Sequence, residues 1–142
     1  MIKPSAAALK LSIVFLNYNR LQETVTTVEH LRALAAGRPD LEVIAVDNAS
    51  ADATGAFLEQ HSDWLRVVHM PGNTGIAGYN EGFKLAKGEY ILVLDDDSHP
   101  YDHATLDNLI AHLDNHPQAG VVACRIESPT GDLVRTWHLP AD

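Results

Sequence analysis

Three consecutive carboxylates, Asp95, Asp96 and Asp97, follow the apolar run Tyr90-Ile91-Leu92-Val93-Leu94. A strand ending there delivers acids to one point, and acids a few ångströms apart repel one another unless a cation or hydrogen-bond donors take up the charge. Mg²⁺ and Mn²⁺ prefer oxygen donors and are commonly held by one or two carboxylates together with phosphate oxygens of a substrate. The triplet therefore points to a metal-diphosphate site. Asp97 and Ser98 can also be read as turn or cap residues for the segment that begins near Pro100. What favours the metal is position: the triplet lies at the C-terminal end of a buried-type strand, where open α/β sheets bind ligands.

A second acid, Asp47, ends the apolar run Val43-Ile44-Ala45-Val46 and is followed by Asn48, Ser50 and Asp52. Ser50 and Asp52 suit the start of a helix. Asp47, at the lip of a sheet, is suited to accept the imide N–H of a pyrimidine base. Tyr18 offers a ring against such a base, or packing at the interface. The stretch Gly72 to Gly82 holds four glycines in eleven residues. It matches neither the Gly-Lys-Ser/Thr phosphate loop nor the dinucleotide glycine pattern. Its small residues permit close backbone approach, either to a sheet or to a ligand.

The elements that must position these groups alternate along the chain. Apolar runs predict strands over 11–16, 41–46, 65–69, 90–94 and 121–126. Helical spacing predicts helices over 21–36, 52–61, 75–87 and 105–115. In the first helix the apolar stripe is Leu21, Val25, Val28, Leu31 and Leu34, with Gly37-Arg38-Pro39 as its stop. Pro129-Thr130-Gly131-Asp132 reads as a turn, with Leu133 to His138 returning as a hairpin strand. Strands separated by helices of this length imply βαβ crossovers. The expected fold is a three-layer α/β/α domain with a mostly parallel sheet covered on both faces.

Composition narrows the partners. The chain has 142 residues, 46% of them apolar, which is about one domain with a sizeable core. Its 19 acidic against 10 basic side chains give a net charge of −9, the wrong sign for general attachment to nucleic acid or anionic lipid. An anionic substrate then needs local help from a metal, backbone N–H groups, or cations such as Arg20 and Arg125. Cys124 is the only cysteine, and its apolar neighbours suggest a buried, inert thiol in a reducing compartment. No apolar stretch approaches a membrane span and the start is too weakly apolar for a signal peptide, so a cytoplasmic location is expected. Peripheral attachment at the inner face of the membrane would come through parts outside this chain. The eight histidines are scattered and form no ligand pattern; His99 and His103, four apart, are interrupted by Pro100.

Four segments carry a family resemblance: Ser12 to Arg20 (SIVFLNYNR), Val46 to Thr54 (VDNASADAT), Asn73 to Gly82 (NTGIAGYNEG) and Gly88 to Asp97 (GEYILVLDDD). In this order and spacing they resemble the successive motifs of family 2 glycosyltransferases, of the GT-A, nucleotide-diphospho-sugar transferase type. The Asn-Tyr-Asn opening is most similar to bacterial rhamnosyltransferase-like enzymes of polysaccharide assembly.

The resemblance implies that Asp95 and Asp97 form the Asp-x-Asp motif, with Asp95 facing ribose or metal and Asp97 holding Mn²⁺ or Mg²⁺ on the two phosphates. It implies that Asp47 reads the base and that Leu16, Asn17 and Tyr18 cradle it, with Asn73, Gly75, Gly78 and Asp96 also near the nucleotide-sugar. The donor would be UDP-, dTDP- or GDP-linked. The metal, as a Lewis acid, would stabilise the leaving nucleoside diphosphate while the anomeric carbon is displaced with inversion. Such enzymes draw the acceptor surface and a general base from a later portion of chain. Nothing here matches that base, and Glu127, Asp132 and His138 are candidates only by default. The 142 residues are thus expected to be a single donor-binding domain from a longer protein, with a glycan or lipid-linked acceptor bound elsewhere. Two other classes remain: a nucleotidyltransferase of similar fold, disfavoured because Asn17-Tyr18-Asn19-Arg20 stands where a Gly-rich basic loop belongs, and a binding module without catalysis.

Overall fold

Four of the five apolar runs form strands. A computed structural model describes residues 8–133, with β1 (Leu11–Asn17), β2 (Leu41–Asp47), β3 (Arg66–His69) and β4 (Tyr90–Asp95) in one parallel sheet. Their order is β3-β2-β1-β4. Ile13, Val14, Phe15, Ile44, Ala45 and Val46 are fully buried, because the central strands are covered on both faces. Helix α1 (Leu21–Ala35) and helix α2 (Thr54–Glu59) pack on each other and on one face. A 3₁₀ turn (Gly75–Gly78) runs into α3 (Tyr79–Leu85), which covers Val14, Ile44 and Val46 on the other face. Helix α4 (His103–Asn115) follows β4. The α/β/α expectation holds for this sheet.

Several details depart from expectation. The buried stripe of α1 is Thr24, Thr27, Val28, Leu31 and Leu34, with Leu21 and Val25 only half-buried. The two threonines go inside because their hydroxyls have partners there, as the site geometry makes plain. The third helix is shorter than 75–87, since Gly75 takes φ +59° and the next turn is wound as 3₁₀. β4 is an edge strand: Ile91 and Val93 are 43% and 49% exposed, so it is not buried on both faces.

The chain divides into two compact units, residues up to Thr105 and residues from Leu106 on. In the second, residues 121–126 form no strand, and Cys124 is exposed rather than buried. Among the described residues the isolated bridge Glu127–Leu133 marks the expected hairpin, with Gly131 at φ +85° in its turn. Residues beyond Leu133, including His138, lie outside the described residues.

Two of the four glycines in the glycine-rich stretch are explained by close packing. A Cβ on Gly82 would collide with Val14 Cγ1 and lie 3.1 Å from Val46 Cγ2, and one on Gly78 would lie 2.8 Å from Leu16 Cδ1. Gly72 and Gly75 face open space. Helical Gly82→Ala should therefore lose stability by about 1–3 kcal/mol through overpacking, outweighing the roughly 1 kcal/mol that alanine gains in a helix. Gly72→Ala should stay within about 0.5 kcal/mol of the parent. Urea denaturation of the two variants checks the pair of outcomes.

Candidate functional site

The register of the sheet brings the sequence-predicted residues to one edge. Asn17 stands opposite Asp47, Leu16 opposite Asp95, and Asp47 opposite His69. Between the tips of β1 and β4 lies a hollow of about 260 Å³. The β1 end contributes Leu16, Asn17, Tyr18 and Arg20 to it, and the β4 end contributes Asp95, Asp96 and Asp97. A larger, more open hollow of about 680 Å³ flanks α3, but its one acid, Glu81, is paired with Lys84 at 2.6 Å. The acid-lined hollow is the better candidate for chemistry.

The three acids do not meet at one point, contrary to what the triplet suggested. Asp95 ends β4, whereas Asp96 and Asp97 stand in the turn beyond it and share a partner that Asp95 lacks. Asp95 is exposed and its Oδ1 lies 2.9 Å from the Tyr79 hydroxyl, which is also 2.7 Å from Leu94 O. Asp96 is buried and accepts from Arg20 Nη1 at 3.1 Å, while its backbone carbonyl accepts from Thr27 Oγ1 at 2.8 Å. Asp97, 46% exposed, accepts from the same Arg20 Nη1 at 2.9 Å. Among the described residues no three His, Cys, Asp or Glu side chains converge to hold a metal.

Part of the charge is taken up by this chain's own groups, one guanidinium and one phenol against three carboxylates. Arg20 is held above its ordinary pKa by the hydrogen bond to Asp97 and the nearby charge of Asp96. Burial pushes the Asp96 carboxyl above the usual range against the pull of Arg20. Burial, then Asp95, pushes the Tyr79 phenol well above its ordinary value, so it stays a neutral donor. The capping role read for Asp97 falls instead to Asp102, whose Oδ1 accepts from Thr105 N at 2.8 Å in the first turn of α4. Ser98 Oγ accepts from Asp95 N at 3.2 Å and closes the turn after β4.

On the β2 side Asp47 is buried. Its Oδ1 accepts from Ser50 N at 3.0 Å and its Oδ2 from His69 Nδ1 at 3.1 Å. Gly55 permits α2 to come this close, since a Cβ there would lie 2.6 Å from Asp47 Oδ2. Asp52 accepts from Thr54 N at 2.9 Å, as a residue opening a helix should, whereas Ser50 Oγ accepts from Asn19 N at 3.0 Å and ties two strand-end loops together. Asn19 Oδ1 returns the tie by accepting from Ala51 N. Both loops carry a non-glycine residue in the left-handed region, Asn19 at φ 52° and Ala49 at φ 65°.

The remaining predicted residues divide between lining and support. Tyr18 is 42% exposed beside the hollow. Asn17 is fully buried; its amide donates to Val46 O at 3.3 Å and its Oδ1 accepts from Thr24 Oγ1 at 3.1 Å. Asn73 Oδ1 accepts from Asn48 Nδ2 and from Gly75 N, which anchors the loop before α3 to the end of β2. Gly78 is buried beneath Leu16 and Asn48. Asp132 accepts from Thr130 Oγ1 within the 128–132 turn, in the second unit. His99 stacks on His30 and His103 bonds Leu34 O, so neither forms a ligand pair. Sequence reasoning did not single out Tyr79, His69, Asn48 or Thr24. For Asn48 and Tyr79 the available signal was their place within the strand-end and glycine-rich motifs.

Comparison with known proteins agrees with this geometry. The sequence profile of "Glycosyl transferase family 2" matches residues 12–141. The uncharacterized protein Rv1520 of Mycobacterium tuberculosis is 31% identical over 118 residues, covering 78% of this chain and 33% of that protein. The poly(ribitol-phosphate) beta-N-acetylglucosaminyltransferase TarS of Staphylococcus aureus is similar in structure, with a TM-score of 0.66 at 27% identity for its complex with UDP-GlcNAc, covering 76% of this chain and 32% of that one. The mannosyltransferase PcManGT of Pyrobaculum calidifontis, in complex with GDP-Man and Mn²⁺, gives a TM-score of 0.73 at 27% identity over 85% of this chain and 36% of its own. The chain spans about a third of the length of such relatives. With a family profile matched over nearly its whole length and a parallel sheet carrying acids at the expected strand tips, the chain belongs to glycosyltransferase family 2.

Proposed function

We propose that this chain is the donor-binding part of a glycosyltransferase that moves a sugar from a nucleoside-diphosphate sugar to a glycan or lipid-linked acceptor, on the cytoplasmic side and with inversion. The observation that carries the reading is the acid-lined hollow between the tips of β1 and β4, with Asp95 and Asp97 exposed at its edge. TarS complexed with UDP-GlcNAc and PcManGT complexed with GDP-Man and Mn²⁺ support a nucleotide-sugar as ligand and a divalent ion as its companion.

Asp95 and Asp97 supply the hard oxygen donors that Mn²⁺ or Mg²⁺ takes, and two carboxylates suffice where phosphates complete the shell. A bound ion would stabilise negative charge on the departing nucleoside diphosphate. Tyr18 and Leu16 line the hollow, where the ring of Tyr18 lies along a base. Asp47, on the neighbouring strand tip, accepts the N–H of that base, and the loop of Asn73 and Gly75, tethered by Asn48, stands at the same end of β2. Arg20 bonds Asp97, so an ion arriving there competes with a guanidinium. The arrangement of Asn17-Tyr18-Asn19-Arg20 after β1 disfavours a nucleotidyltransferase reading.

Calorimetric titration with UDP, dTDP and GDP, with and without Mn²⁺, is expected to give metal-dependent diphosphate binding. Binding of triphosphates alone would instead indicate nucleotidyl transfer. Asp97→Asn, nearly isosteric, should weaken metal-dependent binding by about tenfold or more while leaving the urea transition in place. An unchanged Mn²⁺ requirement in that variant would contradict the assignment.

Arg20→Ala probes the same balance without metal. Removing one partner of a buried pair costs several kcal/mol, but Arg20 is 44% exposed, which reduces the expected loss to about 1–2 kcal/mol. The sign with pH follows from Asp96, whose folded pKa is already raised and rises further once the guanidinium is gone. Below that pKa the acid is neutral and needs no partner, so the loss should be larger at pH 7 than near pH 4. Urea melts at the two pH values measure it.

A further inference from the structure

We propose that His69 is a positioning residue for the nucleobase: clamped between Asp47 and Glu59, it is the counter-charge that keeps the Asp47 carboxylate aimed, and donor affinity follows its protonation. The inference rests on Asp47 being the group that reads the base. His69 ends β3 directly opposite Asp47 on β2. Its Nδ1 lies 3.1 Å from Asp47 Oδ2 and its Nε2 lies 2.7 Å from Glu59 Oε1 on α2. A ring with a carboxylate oxygen at each nitrogen satisfies both only as the imidazolium, because the neutral ring leaves a lone pair facing one of them.

The surroundings are built for this contact. Asp47 is buried, so its charge lacks solvent and depends on fixed partners, here the Ser50 N–H and the His69 ring. Gly55 leaves the space that both side chains occupy, as a Cβ at that position would lie 2.6 Å from Asp47 Oδ2 and 3.4 Å from His69 Cε1. Burial alone would lower the His69 pKa, but hydrogen bonds and charge from Asp47 and Glu59 outweigh it and hold the ring above its ordinary value. Among the described residues those two carboxylates, from β2 and α2, are the charged groups that face it. An imidazolium stabilised in this way is present at low pH and lost as pH rises through its raised pKa. Once it is lost, the neutral ring has a single N–H for two carboxylates, and the buried Asp47 loses its counter-charge, so the acceptor for the base is held less firmly.

The test is calorimetry of the full chain with UDP, dTDP and GDP in Mn²⁺ between about pH 5.5 and about pH 8.5, on the parent, His69→Gln, Glu59→Gln and Asp47→Ala. Relative to His69→Gln, which cancels the pH dependence of the phosphates and the metal, the parent should lose about three- to tenfold in affinity across the range. Glu59→Gln should move the midpoint of that loss to lower pH. His69→Gln with a profile parallel to the parent overturns the inference while leaving the donor site intact, provided Asp47→Ala still weakens binding. Undiminished binding by Asp47→Ala, or no nucleotide binding by the parent, overturns the base reading and this inference with it. Imidazole ¹⁵N shifts give a ligand-free readout: His69 should carry hydrogen on both nitrogens at pH 6.5, and a ring that titrates below its ordinary value sinks the proposal.

Discussion

Two adjacent rows of the β ladder set the position of nearly every group in the site. Parallel strands in register place Asp95 beside Leu16 in one row, and Asn17 beside Asp47 and Asp47 beside His69 in the next, all at the same end of the sheet. Those rows are fixed by packing, because a slip of one residue would exchange Ile13 and Phe15 with Val14 and Leu16 between two differently covered faces. The buried Asn17 amide adds a polar lock. It bonds β2 through Val46 O and α1 through Thr24, so strand, neighbour and helix share one anchor. Hydrophobic packing thus dictates where the acids stand, and the acids in turn dictate which donors must gather around them.

Each acid meets that demand differently. Asp95 takes a neutral phenol, Asp96 and Asp97 share one guanidinium, and Asp47 takes a backbone N–H and an imidazole. Asp96 and Asp47, both buried, sit against groups that can carry a full positive charge, whereas solvent already helps Asp95. Asp97 is exposed but shares the guanidinium of Asp96, so these two acids are coupled through Arg20. The middle member also ties β4 to α1 through its backbone carbonyl, and the outer two are exposed at the hollow.

Much of this was legible in the amino-acid sequence, for reasons that differ by residue. Uninterrupted runs such as Ile13-Val14-Phe15 and Val43-Ile44-Ala45-Val46 are read easily, since central parallel strands are apolar on both faces. The alternation of strands and helices gave the fold class, and the strand-end motifs gave the family. Thr24 and Thr27 were missed as core positions because their burial depends on partners, Asn17 and the Asp96 carbonyl, that are remote in sequence. His69 was one of eight scattered histidines until the sheet set it opposite Asp47. Residues 121–126 have a strand-like composition, but among the described residues they pair with no strand, and Cys124 is exposed.

The two left-handed residues at the strand tips have a thermodynamic meaning for whatever binds beside their loops. Asn19 and Ala49 each hold a conformation that costs an L-residue about 1–2 kcal/mol, and cross-loop hydrogen bonds through Ser50 and Asn19 keep them there. A loop so constrained has little freedom left to surrender when a guest arrives. The rim is pre-organised: the entropy of shaping it is spent during folding, and less of the contact energy is consumed at the moment of recognition.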